Sequence, residues 1–192
     1  MKAVETSPET AGPQAPPRRA DARRNQERVF AAALEVFGEV GLQGTVPQVA
    51  ARAAVGKATV YRSYPTKEDL LAAVVGHRLA ELDRATAPAL ELPDPYERFR
   101  AFVLRLFETL AGDRLLSEAL ATAEFRDDSD LLTRLSDLMQ AAKATGQVGA
   151  DATVCDLRVV LCGVTLQLMR TAERDPALWR RYGELTLKAL RP

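Results

Sequence analysis

Residues 45–67 read TVPQVAARAAVGKATVYRSYPTK, and their spacing describes two short helices joined by a tight turn. Thr45 stands three residues before Gln48, the spacing of a capping box, and Pro47 falls in the first turn, where a missing N–H removes no hydrogen bond. Val49, Ala50 and Ala53 form a narrow apolar edge. Gly56 follows Val55 where the first helix must end, so we expect it to supply the positive φ of the turn, with the helix stopping near Ala54. In the second helix, a rotation of about 100° per residue turns Val60, Ser63 and Tyr64 to one side and Lys57, Ala58, Tyr61 and Arg62 to the other, with Thr59 flanking. The outer side offers a cation, a small residue, hydroxyls and a guanidinium. These groups pair with phosphate oxygens and base edges in the major groove of DNA. Tyr64, on the inner side, reads as a core aromatic and not as a DNA contact.

Charge points the same way locally. The chain carries 26 Lys and Arg against 26 Asp and Glu, so as a whole it has no attraction for polyanions. Between Arg52 and Lys67, however, stand four cations, Arg52, Lys57, Arg62 and Lys67, and no carboxylate. Arg18, Arg19, Arg23, Arg24 and Arg28 crowd the approach to the preceding helix. That basic run has two readings, a solvated tail or an arm touching phosphates or the minor groove.

The residues at this point resemble the TetR (tetracycline repressor-like) transcription regulators. Their first domain has three helices and carries a pattern of the form G-x-x-x-T-x-x-x-I-A-x-x-A-G-V-x-x-x-T-x-Y-x-x-F-x-x-K-x-x-L. Here the pattern falls on Gly41, Thr45, Val49, Ala50, Ala53, Ala54, Val55, Thr59, Tyr61, Tyr64, Lys67 and Leu70, over roughly residues 23 to 72. The chain departs from it at Val49 in place of Ile, at Ala54-Val55-Gly56 in place of the commoner A-G-V turn, and at Tyr64 in place of Phe. The resemblance adds a phosphate contact to the capping role of Thr45. Lys67, at the positive end of the next helix, is suited to hold a phosphate through its charge and the adjoining amides. The DNA-reading set is therefore Thr45, Gln48, Lys57, Ala58, Thr59, Tyr61, Arg62 and Lys67. The plain alternative is a three-helix unit with a solvated basic face.

The rest of the chain is helical in pattern. Helix 1 is expected from about Arg23 to Glu39, with Gly41 ending it. Thr66 and Asp69 repeat the capping-box spacing, and Leu71, Val74, Val75, Leu79 and Leu82 form a stripe that runs until Pro88, on a helix bridging two domains. Further patterns run from Asp94-Pro95 to Leu110, Asp113 to about Phe125, Ser129 to Ala144, Asp151 to Ala172 and Asp175-Pro176 to Leu190. The expected fold is all-α, with about nine helices. Residues 1–17 hold four prolines and few large apolar groups and are expected to be a disordered tail; 18–65 form the helix-turn-helix domain and 66–192 a second, effector-binding and dimerisation domain. With no signal-peptide h-region and no apolar run of ~18 to 20 residues, a cytoplasmic protein without membrane association is expected.

Chemistry beyond binding is not expected. Cys155 and Cys162 lie seven residues apart in one helical pattern, about 10.5 Å at 1.5 Å per residue, too far for a disulfide. With His77 as the lone histidine, neither a zinc ligand set nor a His-based triad forms, and no catalytic motif is present. Asp127, Asp128 and Asp130 read as acids at the positive end of a helix and not as a metal site. We expect no enzyme activity and no cofactor.

The run from Asp151 to Ala172 is apolar nearly all round, so it is expected to be buried on more than one side, one of them a partner chain. The last helix carries a second stripe in Leu178, Trp179, Tyr182, Leu185 and Leu190. The resemblance implies that these two helices pair with their symmetry mates in a homodimer, and that a small effector occupies a cavity among the middle helices. Phe102, Leu106, Met139, Cys162, Leu166 and Met169 are its expected lining, suited to an apolar or amphipathic ligand; each also reads as plain core. The expected function is thus a homodimeric DNA-binding regulator, in the resemblance a repressor, on a near-palindromic operator and released by a small molecule. The alternative is a helical sensor or partner-binding protein that keeps the fold without operator binding.

Overall fold

The computed structural model describes residues 17–122 and 130–192, with side chains from residue 21 and without that of residue 130. Among the described residues the chain forms nine α-helices, a single 3₁₀ turn and no strand. The expected tail, the side chains of Arg18, Arg19 and Asp130, and residues Phe125, Asp127, Asp128 and Ser129 lie outside what is described.

Helix α1 spans Pro17–Val40, starting six residues before Arg23, with Pro17 at its first position, where a ring-fixed φ suits a helix start. A 3₁₀ turn, Gly41–Gln43, leads into α2, Val46–Arg52, and α3, Lys57–Ser63. Helix α4, Lys67–Leu90, passes through Pro88, whose missing N–H removes one bond from a last turn that ends two residues later. There follow α5, Pro95–Gly112; α6, Arg114–Ala121; α7, Asp130–Lys143; α8, Val154–Arg170; and α9, Pro176–Ala189. Helix α8 starts at Val154 and not at Asp151 because Thr153 and Asp156 close a capping box there.

Apolar side chains gather into two clusters. The first joins Val29, Ala33 and Phe37 of α1, Val49 and Ala50 of α2, Val60 of α3, and Leu70, Leu71 and Val74 of α4. Edge-on packing of Phe30 against His77, with ring centroids 5.3 Å apart, adds to the α1–α4 contact. The second cluster is built on α5, whose Phe99, Phe102, Leu106, Phe107 and Leu110 are buried against α4, α7 and α9. At Gly183 a Cβ would come within 3.1 Å of Leu104 and Phe107, so α9 packs closely on α5 there and a larger residue would press on both side chains. Helix α4 serves both clusters, sending Leu70 and Val74 into the first and Leu82 into the second. Helix α6 also crosses over: its Leu115 is buried in the first cluster, while Leu116 and Leu120 belong to the second.

Candidate nucleic-acid interface

The interface is built on α2 and α3. Thr45 closes the capping box in full: its hydroxyl accepts from the Gln48 N–H at 3.4 Å and donates to Gln48 Oε1 at 2.9 Å, while its own N–H donates to the same oxygen at 2.8 Å. Both side chains stay exposed. On α3, Val60 is wholly buried, whereas Lys57, Ala58, Tyr61 and Arg62 are exposed and Thr59 is half-buried. Tyr64 is half-buried against the first cluster, and burial raises its phenol above the ordinary value against a hydrogen bond to Gln26. The outer face of α3 therefore carries the residues that its spacing assigns to it.

The turn between the helices is made differently from the expectation. Gly56 has φ −72° and serves as N-cap of α3; the left-handed residue is Ala54, at φ +51°. The reason is position: α2 ends at Arg52 with Ala53 as C-cap, and the residue after the C-cap is the one that turns left-handed. The Val55 N–H then reaches back to the Ala50 carbonyl at 3.0 Å. Arg28, from α1, donates to the carbonyls of Ala53 at 2.6 Å and Ala54 at 3.4 Å. An arginine counted with the basic approach is thus a brace of the turn.

Arg52 is a second correction to the charge pattern. Its guanidinium meets Glu35 at 2.9 Å and Glu39 at 3.0 Å, both on α1. Hydrogen bonding to Arg52, then its charge, holds the Glu39 carboxyl below the usual range, and the same contacts raise Arg52. The run that is free of acids in sequence is not free of them in space, because α1 delivers two carboxylates to α2. Lys57 and Arg62 make no ion pair or hydrogen bond among the described residues, and Lys67 uses one donor on the Leu42 carbonyl at 2.7 Å. Of the upstream arginines, Arg23 pairs with Glu27 at 2.9 Å and Arg24 with Asp21.

In the second cluster, Phe102, Leu106 and Met139 are fully buried together, and half-buried Cys162 and Met169 pack against them. The Cys162 thiol donates to the Leu120 carbonyl at 3.2 Å, and burial pushes it above the ordinary thiol range. Leu166, one turn beyond Cys162, is not buried with them: it is 47 % exposed. Thr165 interrupts the buried stripe of Leu157, Leu161 and Leu168, and its hydroxyl is buried with no hydrogen-bond partner among the described residues. A polar residue in that stripe is visible in the sequence, though its lack of a partner is not. Both cysteines are free thiols. No described helix is long and apolar enough to cross a membrane.

Comparison with known proteins matches both halves. The family model for bacterial regulatory proteins of the tetR family covers residues 29–74, and that for the SbtR-like transcriptional regulator C-terminal domain covers residues 94–192. The HTH-type transcriptional repressor KstR of Mycolicibacterium smegmatis is 31% identical over 138 residues, which are 67% of this chain and 68% of that protein. Among solved structures, the TetR transcriptional regulator SCO0520 from Streptomyces coelicolor is 30% identical with a TM-score of 0.55, covering 87% of this chain and 98% of its own. The regulator FadR from Bacillus subtilis, in complex with stearoyl-CoA, shares the fold at 20% identity and a TM-score of 0.63, covering 84% of this chain and 97% of its own. The chain belongs to the TetR family of bacterial regulatory proteins and is a DNA-binding transcriptional regulator.

Proposed function

We propose that this protein is a homodimeric repressor that places α3 of each subunit in a major groove of a near-palindromic operator and leaves it when a small molecule binds. The observation that carries the reading is the free outer face of α3, with Lys57, Tyr61 and Arg62 exposed while Val60 anchors the helix from beneath. In this reading Lys57 and Tyr61 reach phosphates, Ala58 and Thr59 allow close approach, and Arg62 reads a base edge. Thr45, Gln48 and Lys67 flank the groove as backbone contacts. Residues 18–65 are the DNA-reading domain and 66–192 the sensing and pairing domain.

Pairing through α8 and α9 is supported by where the exposed apolar groups lie. Val159 is 64 %, Leu166 47 % and Leu185 45 % exposed, all on the last two helices, an apolar surface that a second copy would cover. A twofold pair presents two copies of α3, which is why the operator is near-palindromic.

An effector site among Phe102, Leu106, Met139, Cys162 and Met169 is supported by an apolar interior that also holds the unpartnered Thr165 hydroxyl. Such an interior suits an apolar or amphipathic molecule with one hydrogen-bonding group near Thr165. The ligand of FadR is of that broad kind. A tenfold loss of operator affinity requires only ~1.4 kcal/mol of preference for the form that does not bind DNA.

Fluorescence anisotropy of the full chain against duplex DNA from upstream of its own gene, with scrambled competitor and a salt series, tests the reading. We expect competitor-resistant binding with a steep salt slope. Weak, sequence-blind binding to that duplex and to every sequence offered in a randomised library would overturn it.

A further inference from the structure

The 3₁₀ turn that leads into α2 is held by charged side chains from two different elements, and both act on one residue. Glu118 of α6 reaches across to Leu42, where Oε2 accepts from the backbone N–H at 2.6 Å. On the other side, Lys67 donates to the Leu42 carbonyl at 2.7 Å. Leu42 therefore bridges a carboxylate of the second cluster's helix to an ammonium at the start of α4, through two bonds of the charge-assisted, stronger kind.

The surroundings are built to keep that carboxylate in place. Its side chain is 15% exposed, and Oε1 takes an ion pair from Arg114 Nε at 2.7 Å. Gly41 has φ +65°, and a Cβ there would sit 2.0 Å from Glu118 Oε2, so the turn needs glycine both for its backbone and for the room the carboxylate occupies. One turn earlier, Leu115 is buried in the first cluster. Asp113, the N-cap of α6, receives Arg78 of α4 at 3.3 Å. At its far end α6 is tied to α8 by the Cys162 to Leu120 hydrogen bond. A short helix thus touches α8 at one end and carries at the other the acceptor that positions the turn before α2.

We propose that Glu118 is a positioning residue for operator binding: by holding the Leu42 amide it fixes the 3₁₀ turn, and through the Leu42 carbonyl it sets the Lys67 ammonium where a phosphate is met. The inference rests on the operator-binding reading above and goes beyond it by naming the contact through which the second cluster reaches the interface. Glu118 touches no DNA itself. Its effect depends on reach, because the bond to Leu42 needs an acceptor oxygen at that distance, and not on charge alone.

The test uses the full chain and a fluorescein-labelled duplex selected by the parent protein from a randomised library. Glu118→Gln keeps the reach and an acceptor oxygen; Glu118→Asp keeps the charge and is one methylene short. We expect Glu118→Asp to lose about tenfold or more in affinity for the selected duplex while Glu118→Gln stays within about threefold of the parent. Binding of a scrambled duplex should fall in the same order, since a phosphate contact carries no sequence information, and the Glu118→Asp effect should shrink in a Lys67→Met background, since the two act through one residue. A reversed order, or Glu118→Asp within about twofold of the parent on the selected duplex, overturns the assignment. One measurement needs no variant: in the parent, amide exchange at Leu42 should slow when the selected duplex is added, and unchanged or faster exchange overturns the assignment as well. A parent that selects no sequence sinks the operator reading itself, whereas a parent that selects one and an indifferent Glu118→Asp sink only the role of Glu118.

Discussion

The Arg28 guanidinium on α1 lies 2.6 Å from the carbonyl oxygen of Ala53, at the end of α2. Helix ends leave carbonyls without intrahelical partners, and here one of them is taken by a side chain 25 residues upstream. The chain turns left-handed at the next residue, Ala54, so the arginine braces the turn at the point where the backbone is least comfortable.

Removing that brace should cost stability. Arg28→Met keeps the aliphatic stem and loses the hydrogen bonds, and the expected loss is about 1 kcal/mol, since the side chain is largely exposed. Urea unfolding followed by circular dichroism measures it, and a midpoint equal to that of the parent would contradict the role.

Ala54→Gly should stabilise the protein. An L-residue in the left-handed region is costlier than glycine by roughly 1–2 kcal/mol, and the extra freedom of glycine in the unfolded chain returns part of that. The expected net gain is about 0.5–1 kcal/mol, read as a higher thermal midpoint. A lower midpoint would show that the turn is not strained at Ala54.

On the outer face of α3 the variants should separate by chemistry. Tyr61→Phe and Lys67→Ala are expected to weaken binding to all sequences alike, as losses of phosphate contacts do. Arg62→Ala should instead relax discrimination at one base pair by ~1 to 3 kcal/mol, if its partner is a guanine edge. Competition anisotropy against single-base-pair variants of the operator distinguishes the two behaviours; three variants binding like the parent would remove these residues from the interface.

The apolar surface of α8 should fail as a pairing face once it carries charge. Val159→Asp together with Leu166→Asp is expected to yield a folded monomer with the helical content of the parent, because both side chains are already exposed in the single chain. Sedimentation velocity at micromolar protein reads the result, and an unchanged dimer would place the pairing surface elsewhere.

Thr165→Val exchanges a buried hydroxyl, unpartnered among the described residues, for a methyl of the same shape. Leaving such a group unsatisfied costs about 1–3 kcal/mol, so the variant should be more stable than the parent by an amount within that range and melt higher. If the hydroxyl meets an effector, a ligand that raises the parent's melting temperature should raise the variant's by less.

Much of the fold was legible because its signals are local. The capping boxes at Thr45–Gln48 and Thr66–Asp69 and the Asp-Pro starts of α5 and α9 all lie within four residues of the helix starts they mark, and each formed at the expected place. The sorting of α3 was legible for the same reason, since a helical period needs only seven residues to show which side Val60 occupies. Missed starts had local causes as well: Thr153 outcompeted Asp151 because it closes a full capping box, and Pro17 opened α1 earlier than its apolar stripe begins.

The amino-acid order by itself determined the helices, their caps and the face of α3, because those depend on a few residues that cannot avoid being neighbours. Only the tertiary structure decided how the charges were used. Arg52 was neutralised by Glu35 and Glu39, 13 or more residues away, and the Leu42 amide was taken by Glu118 across 76 residues. It also decided that Leu166 looks outward while Thr165, its neighbour, is sealed inside with no partner among the described residues. A charge or a hydroxyl carries no mark of its partner, since pairing energy depends on distance in space and that distance is set only when the helices pack.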